Sequence, residues 1–279
     1  MNESLFLSGF IIFIALLLAL DLGVFNKNSH AVSIREALVF TGIWVSLALV
    51  FFFFLRYFGH WIHDVHDMEG LQAINERHRH GLVFNPDADF LTNLQLYRKC
   101  LSLEFITGYV IEYALSIDNI FVILMIFMSF RVDRQYYHRV LFWGIIGAIF
   151  MRFIFIFSIS ALVHEFEWIL AIFGGILIFS AVKMFLSRHE EENVNVQEHK
   201  VVKFVSKHLP VTSSYAGQHF FTKIDGKQYI TPLFLVLIII ECSDVIFAVD
   251  SVPAIFSITQ DSYIVFFSNI FAIIGLRSL

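Results

Sequence analysis

The chain has 279 residues, of which 58% are hydrophobic, 34 are phenylalanine and 15% are charged. Soluble domains carry roughly 45–50% apolar and about 25% charged residues, so the composition excludes an ordinary water-soluble domain and describes a polytopic membrane protein. The net charge of −5 sits in the connections and selects no nucleic-acid partner. Cys100 and Cys242, with no CxxC pair, exclude a disulfide framework.

A helix needs about 20 mostly apolar residues to cross a bilayer. Taken in chain order, the first such stretch is 5–25. It lacks a basic leader and is long, so it reads as a retained span and not a cleaved signal. The second is 37–58. A polar connection follows at 59–103, rich in histidine ("GHWIHDVHDMEG", "ERHRHG"), with His60, His63 and His66 spaced as a solvated segment or a metal-collecting mouth. Three stretches come next, at 104–130, 140–162 and 168–186. A second connection, 187–231, opens with "RHEEEN", continues with an amphipathic "KVVKFVSKHL", and carries "HFFTKIDGKQYIT". In the last of these, Asp225-Gly226 between two strand-like runs predicts a hairpin. The final stretches are 232–257 and 263–279.

Lysine and arginine bias gives an orientation. The connections after spans 1, 3 and 5 hold Lys27, Arg35, Arg131, Arg134, Arg139, Lys183, Arg188, Lys200, Lys203, Lys207, Lys223 and Lys227. The short connections "VHEFE" and "TQDS" hold none. The expectation is a multi-pass protein of the cell (inner) membrane. Its N-terminus and 59–103 loop would lie outside, and its 187–231 loop in the cytoplasm.

The acids inside the spans form a pattern. "EYALSIDNIFVI" (112–123) and "DVIFAVDSVPAI" (244–255) place Glu112 and Asp118, and Asp244 and Asp250, at the same separation. Asn119 and Ser251 follow the second acid of each pair. Downstream, "GIIGAIFMR" (144–152) resembles "AIIGLR" (272–277), so each copy pairs an acidic helix with an intramembrane arginine, Arg152 or Arg277. Three spans separate the copies, an odd number, which gives them opposite orientation. The fold expected is therefore all-α, with two inverted three-helix repeats, the second incomplete. Such repeats commonly surround a central ion site.

A carboxylate at the bilayer centre costs a few kcal/mol or more. Glu112, Asp118, Glu241, Asp244 and Asp250 outnumber the two arginines, which read as structural ion-pair or gating residues. A bound cation or proton is thus implied. Six residues along an ideal helix turn by about 240°, so either the acids of a pair face different neighbours or the helix breaks between them. Pro253, which frees the Val249 carbonyl, favours some irregularity. Asp21, Ser116 and Ser243 are additional candidate ligands. The set is all oxygen, suited to Mg²⁺, Ca²⁺ or Mn²⁺.

"GYVIEYALSIDNIFV", the segment "HFFTKIDGKQYITPLFLVLIIIECSDVIFAVDSVPAIF" and "SNIFAIIGLRSL" resemble the TerC (tellurium resistance) integral membrane protein family. The resemblance covers nearly the whole chain. It implies a fold of the LysE transporter superfamily and, as in the Alx-type exporters of that family, export of Mn²⁺. It also implies that Glu112, Asp118, Asn119, Glu241, Asp244, Asp250 and Ser251 form the ion path. Tyr113 stands where many members have lysine. Members continue for about two more helices, matching the third helix that only the first copy has (172–186). The function expected is a secondary transporter exporting a divalent cation, most readily Mn²⁺, with protons the candidate counter-ion. The partners expected are the metal ion and the bilayer, with no resident cofactor, no enzymatic activity and no nucleic acid. A Ca²⁺/H⁺ exchanger and a membrane assembly or scaffold protein are the alternatives, and the oligomeric state stays open.

Overall fold

The long apolar runs become helices because no other open structure satisfies its backbone polar groups inside lipid. The computed structural model describes residues 3–20, 34–166, 168–186, 210–212, 215–224 and 226–276. Asp21, Arg277, Asp225 and the amphipathic run "KVVKFVSKHL" lie outside these.

The described elements are α1 (Glu3–Leu20), α2 (Ile34–Phe58), α3 (Met68–Arg77), α4 (Phe90–Ser129), α5 (Arg134–Glu165), α6 (Trp168–Leu186), β1 (Phe221–Ile224), β2 (Lys227–Ile230), α7 (Pro232–Phe256) and α8 (Ser262–Leu276). Among the described residues, four helical segments are long and apolar enough to cross a membrane: Arg35–Trp61, Phe90–Ser129, Arg134–Glu165 and Pro232–Phe256. Three shorter apolar helices accompany them, Glu3–Ala19, Trp168–Val182 and Ser262–Gly275. Outward faces carry large apolar side chains such as Leu38, Phe53, Phe121, Phe150 and Phe179. Lipid is the solvent that suits them.

α8 runs through the middle of the bundle and packs on α4, α5 and α2, while α7 packs on α4, α5 and α6. Phenylalanines fill the space around α8. Phe10 and Phe267 have centroids 4.3 Å apart, and Phe51 lies 5.0 Å from both Phe105 and Phe271. α4 and α8 approach closely at Gly108, where an added Cβ would sit 2.8 Å from the Ser268 hydroxyl. Small residues let membrane helices pack backbone to backbone.

The 59–103 connection is more ordered than its polar composition suggests. A 3₁₀ turn (Gly59–Trp61) leads to α3, whose N-cap Asp67 accepts from the Gly70 amide at 2.8 Å. α4 then starts at Phe90, capped by Asp89, some fourteen residues before the apolar run begins. At 1.5 Å per residue its 40 residues extend about 60 Å, against a hydrocarbon core of about 30 Å. The early turns form because Leu94, Tyr97, Leu101 and Phe105 make a buried stripe at helical spacing.

At the opposite end of the bundle, β1 and β2 pair antiparallel with Ile224 opposite Lys227. Gly226 takes φ +75° in the tight connection. Tyr215 Oη donates to the Phe130 carbonyl at 2.7 Å, which ties this segment to the end of α4. Pro232 opens α7 at a position where its missing N–H costs nothing.

Candidate functional site

Both acidic helices are continuous, so the acids of each pair face different neighbours. Pro253 lies in the last turn of α7 and does not interrupt it between Asp244 and Asp250.

Arg152, from α5, is the centre of the intramembrane charge cluster and is 1% exposed. Its Nη1 donates to Glu112 Oε1 of α4 and to Asn269 Oδ1 of α8. Its Nε and Nη2 reach the Asp244 carboxylate of α7 at 3.5 and 3.4 Å. One guanidinium thus bridges Glu112 and Asp244, the first acids of the two segments matched in the sequence. Glu112 is fully buried and its Oε1 also accepts from Ser116 Oγ at 2.9 Å.

The remaining predicted residues are spread along α4 and α7. Asp250 accepts from Ser180 Oγ of α6 at 3.2 Å. Glu241 sits against Gly147 of α5, where an added Cβ would collide with its carboxylate. It also lines an apolar groove of about 450 Å³ with Trp143, Phe150, Met151, Leu237 and Cys242. Ser243 Oγ turns back to the Ile239 carbonyl at 2.9 Å. Asp118 is exposed on the face of α4, beside buried Asn119. Asn119 Oδ1, Ser251 Oγ and Glu112 Oε2 are buried without a hydrogen-bond partner among the described residues.

Asn269, Ser180 and Gly147 belong to these contacts and were not anticipated. Only Asn269 had a visible signal, a lone amide inside the apolar run "FFSNIF". Gly147 and Ser180 look like ordinary small helix-packing residues.

A second polar cluster lies at the end of the bundle opposite the hairpin. The three histidines of "HWIHDVH" separate. His60 accepts from Arg98 Nε at 3.2 Å, His66 bonds Asp64 at the surface, and His63 turns inward. His63 Nε2 meets Asp261 Oδ2 at 2.9 Å, and its Nδ1 meets Glu3 Oε1 at 3.2 Å. His63 is therefore buried, and a solvated segment describes only His66. Burial pulls the His63 imidazole down, but the charge and hydrogen bond of Asp261, with Glu3 behind them, hold it at about 9. His78 is drawn down to about 4, chiefly by burial and further by His63, against the upward pull of Asp261. Burial raises Asp261, yet the His63 charge and hydrogen bond overcome this and hold it well below the usual carboxylate range. Nearby, His80 Nδ1 meets Glu104 Oε1 at 2.9 Å, Cys100 Sγ donates to the same oxygen at 3.3 Å, and Thr259 Oγ1 donates to Glu104 Oε2 at 2.8 Å.

The sequence profile described as "Integral membrane protein TerC family" matches residues 98–279. A Myxococcus xanthus protein described as an uncharacterized membrane protein, STKORF319, is 42% identical over 272 residues, covering 98% of this chain and 73% of that one. A protein of Escherichia coli K12 is 40% identical, covering 97% of this chain and 75% of its own length; its name, membrane-bound redox modulator Alx, is itself provisional. An uncharacterized membrane protein of Rickettsia bellii is 38% identical over 94% of this chain and 74% of its own. No solved structure matches. The profile spans the acidic helices and the helix that carries Asn269, and the relatives extend the likeness through the histidine-rich end, so the chain belongs to the TerC family of integral membrane proteins.

Proposed function

We propose that this protein is a secondary transporter that exports a divalent cation, Mn²⁺ before Ca²⁺, through the carboxylates of α4 and α7. The observation that carries this reading is the set of buried oxygens without a hydrogen-bond partner among the described residues, Glu112 Oε2, Asn119 Oδ1 and Ser251 Oγ. Asn119 and Ser251 occupy equivalent places in the two sequence copies. A buried polar atom without a partner costs about 1–3 kcal/mol, and a hard cation or its water offers the missing partner. The inverted-repeat reading draws support from the packing. If α4 and α7 are equivalent, and α5 and α8 likewise, the α4–α8 contact has its counterpart in α7–α5, and both are extensive.

Arg152 offsets one of the two acids it touches. With Glu241 one helical turn from Asp244, the cluster keeps negative charge for a cation or for protons. Metal release coupled to protonation is the natural cycle, since clustered carboxylates resist full ionisation without a cation. In this topology the N-terminus and the histidine-rich end face outside and the hairpin faces the cytoplasm, as the basic residues favour.

The test is Mn²⁺ uptake by everted membrane vesicles. Glu112→Gln, Asp244→Asn and Asp250→Asn should each reduce uptake at least tenfold while the protein remains inserted. Uptake at the wild-type rate in all three would overturn the export reading and favour a scaffold, which tolerates neutral acids. A redox role, which the relatives' name suggests, has two free thiols to draw on, Cys100 and Cys242. They lie in separate surroundings, one beside Glu104 and one in the apolar groove.

A further inference from the structure

We propose a zinc-class metal site at the histidine-rich end, with Glu3, His63 and His78 as ligands and Asp261 as the residue that orients His63. The site is separate from the intramembrane carboxylates, draws on different ligand chemistry, and stands or falls independently of Mn²⁺ export.

The ligand atoms come from three segments far apart in sequence. Glu3 opens α1, His63 follows α2 and His78 follows α3. One carboxylate oxygen and one ring nitrogen from each histidine lie within 4.8 Å of one another. The pair already closest, His63 Nδ1 and Glu3 Oε1, is 3.2 Å apart. A tetrahedral centre with bonds of about 2.0–2.1 Å has ligand atoms about 3.3 Å apart, so that edge is preformed and only His78 has to move inward.

His78 supplies the independent observation. It is 4% exposed, yet both its ring nitrogens lack a hydrogen-bond partner among the described residues. Buried side-chain donors and acceptors are almost always paired, and each exception calls for a cause. A metal ion fills one of these nitrogens directly.

Asp261 completes the pattern. Metal-bound histidine characteristically hands its other ring N–H to a carboxylate, which fixes tautomer and ring orientation. His63 already bonds Asp261 through Nε2 at 2.9 Å, leaving Nδ1 for the metal. Asp261 is in turn held by the backbone amides of Tyr263 and Ile264 at the start of α8. Glu3 is positioned by Tyr263 Oη at 3.3 Å and by Arg77 at 3.1 Å.

Two imidazoles and one carboxylate favour a borderline cation such as Zn²⁺ over the harder Mn²⁺. Three protein ligands leave a fourth position for water. The consequence for the fold is a staple: bound metal would join α1 to the α2–α3 connection and to the residue after α3, with Asp261 bringing in α8.

The experiment is a Zn²⁺ titration of the purified, chelator-stripped full chain in detergent, against a chromophoric competitor, with Co²⁺ as a spectroscopic stand-in. We expect one Zn²⁺ per chain, at least 100-fold weaker binding in His78→Ala, and 10- to 100-fold weaker binding in Asp261→Asn. Cys100→Ser should bind within threefold of wild type. The Co²⁺ adduct should show no thiolate charge-transfer band. Zn²⁺ should raise the unfolding temperature of the wild type and not of His78→Ala. No stoichiometric zinc in the wild type, where no variant's folding is in question, overturns the proposal. So does zinc that survives His78→Ala in a monodisperse sample, which places it on the membrane carboxylates, and so does a thiolate band or loss of binding in Cys100→Ser, which places it on His80, Cys100 and Glu104.

Discussion

Replacing Arg152 by methionine removes a buried cation that touches two acids and an amide. At an effective dielectric of about 20, a charge pair at 3.4 Å interacts with about 5 kcal/mol. The desolvation of Arg152 offsets much of this in the wild type, so the pair's net contribution is far smaller than the Coulomb energy. The variant, however, leaves Glu112 fully buried with no counter-charge among the described residues, and breaking a buried pair from one side costs about 3–5 kcal/mol. The double variant Glu112→Gln/Arg152→Met removes both charges and should regain more than half of that loss. Asp244 is less demanding, since its side chain keeps 18% of its exposure. The assay is thermal unfolding of the purified protein in detergent, run as a double-mutant cycle with a coupling of at least about 1.5 kcal/mol expected. Additive losses, with the double variant worse than either single one, would refute the Glu112–Arg152 pairing on which the site description rests.

Gly108→Val forces a branched side chain against α7 and α8, where Ile255 and Ser268 atoms stand 2.8–3.1 Å from the Cβ position, and should cost about 2–3 kcal/mol. Ser268→Gly, which removes two of the three nearest atoms, should recover part of that loss in the same unfolding assay. Ser180→Ala removes a hydroxyl that donates to Asp250 and should alter Mn²⁺ transport by less than tenfold, well short of Asp250→Asn in everted vesicles. Cys242→Ser should leave Mn²⁺ uptake unchanged, and its loss would argue for thiol chemistry in the groove.

Apolar runs as long as "LFLVLIIII" admit one backbone solution in lipid, which is why the helical class was readable from the sequence. The six-residue spacing of Glu112 and Asp118 was readable too, because helix geometry alone separates their faces. What the spacing left open was which neighbour each acid meets. Arg152 could pair with any of them, and only the packing of α5 on α7 and α8, with α4 against the same two helices, selects Glu112 and Asp244. The length of α4 was missed for a different reason. "TNLQLYRKCL" is polar by composition, and its stripe of Leu94, Tyr97 and Leu101 is visible only when counted at helical spacing past the apolar boundary. The histidine cluster shows the limit most sharply. His63 and Asp261 are 198 residues apart and share no motif, so nothing local announces that they touch.

The two polar clusters obey opposite rules. Between α4, α5, α7 and α8 the buried groups are carboxylates, two amides, hydroxyls and one guanidinium, with no imidazole among the contacts described. Such oxygens exchange a hard cation readily, because hard ions bind through charge and keep labile water. Around His63 the buried groups include two imidazoles, His63 and His78, and the carboxylates that touch His63 are anchored by backbone amides, a tyrosine and an arginine. Directional nitrogen ligands on fixed supports favour retention over passage. If both proposals hold, moving one divalent ion while holding another would gain from this division, since neither site would then compete strongly for the other's metal. Zn²⁺ at micromolar levels should accordingly leave the initial rate of Mn²⁺ uptake within about twofold of its value in chelated buffer. A steep inhibition that persists in His78→Ala would mean that zinc reaches the carboxylates, and that the oxygen set does not discriminate as its chemistry predicts.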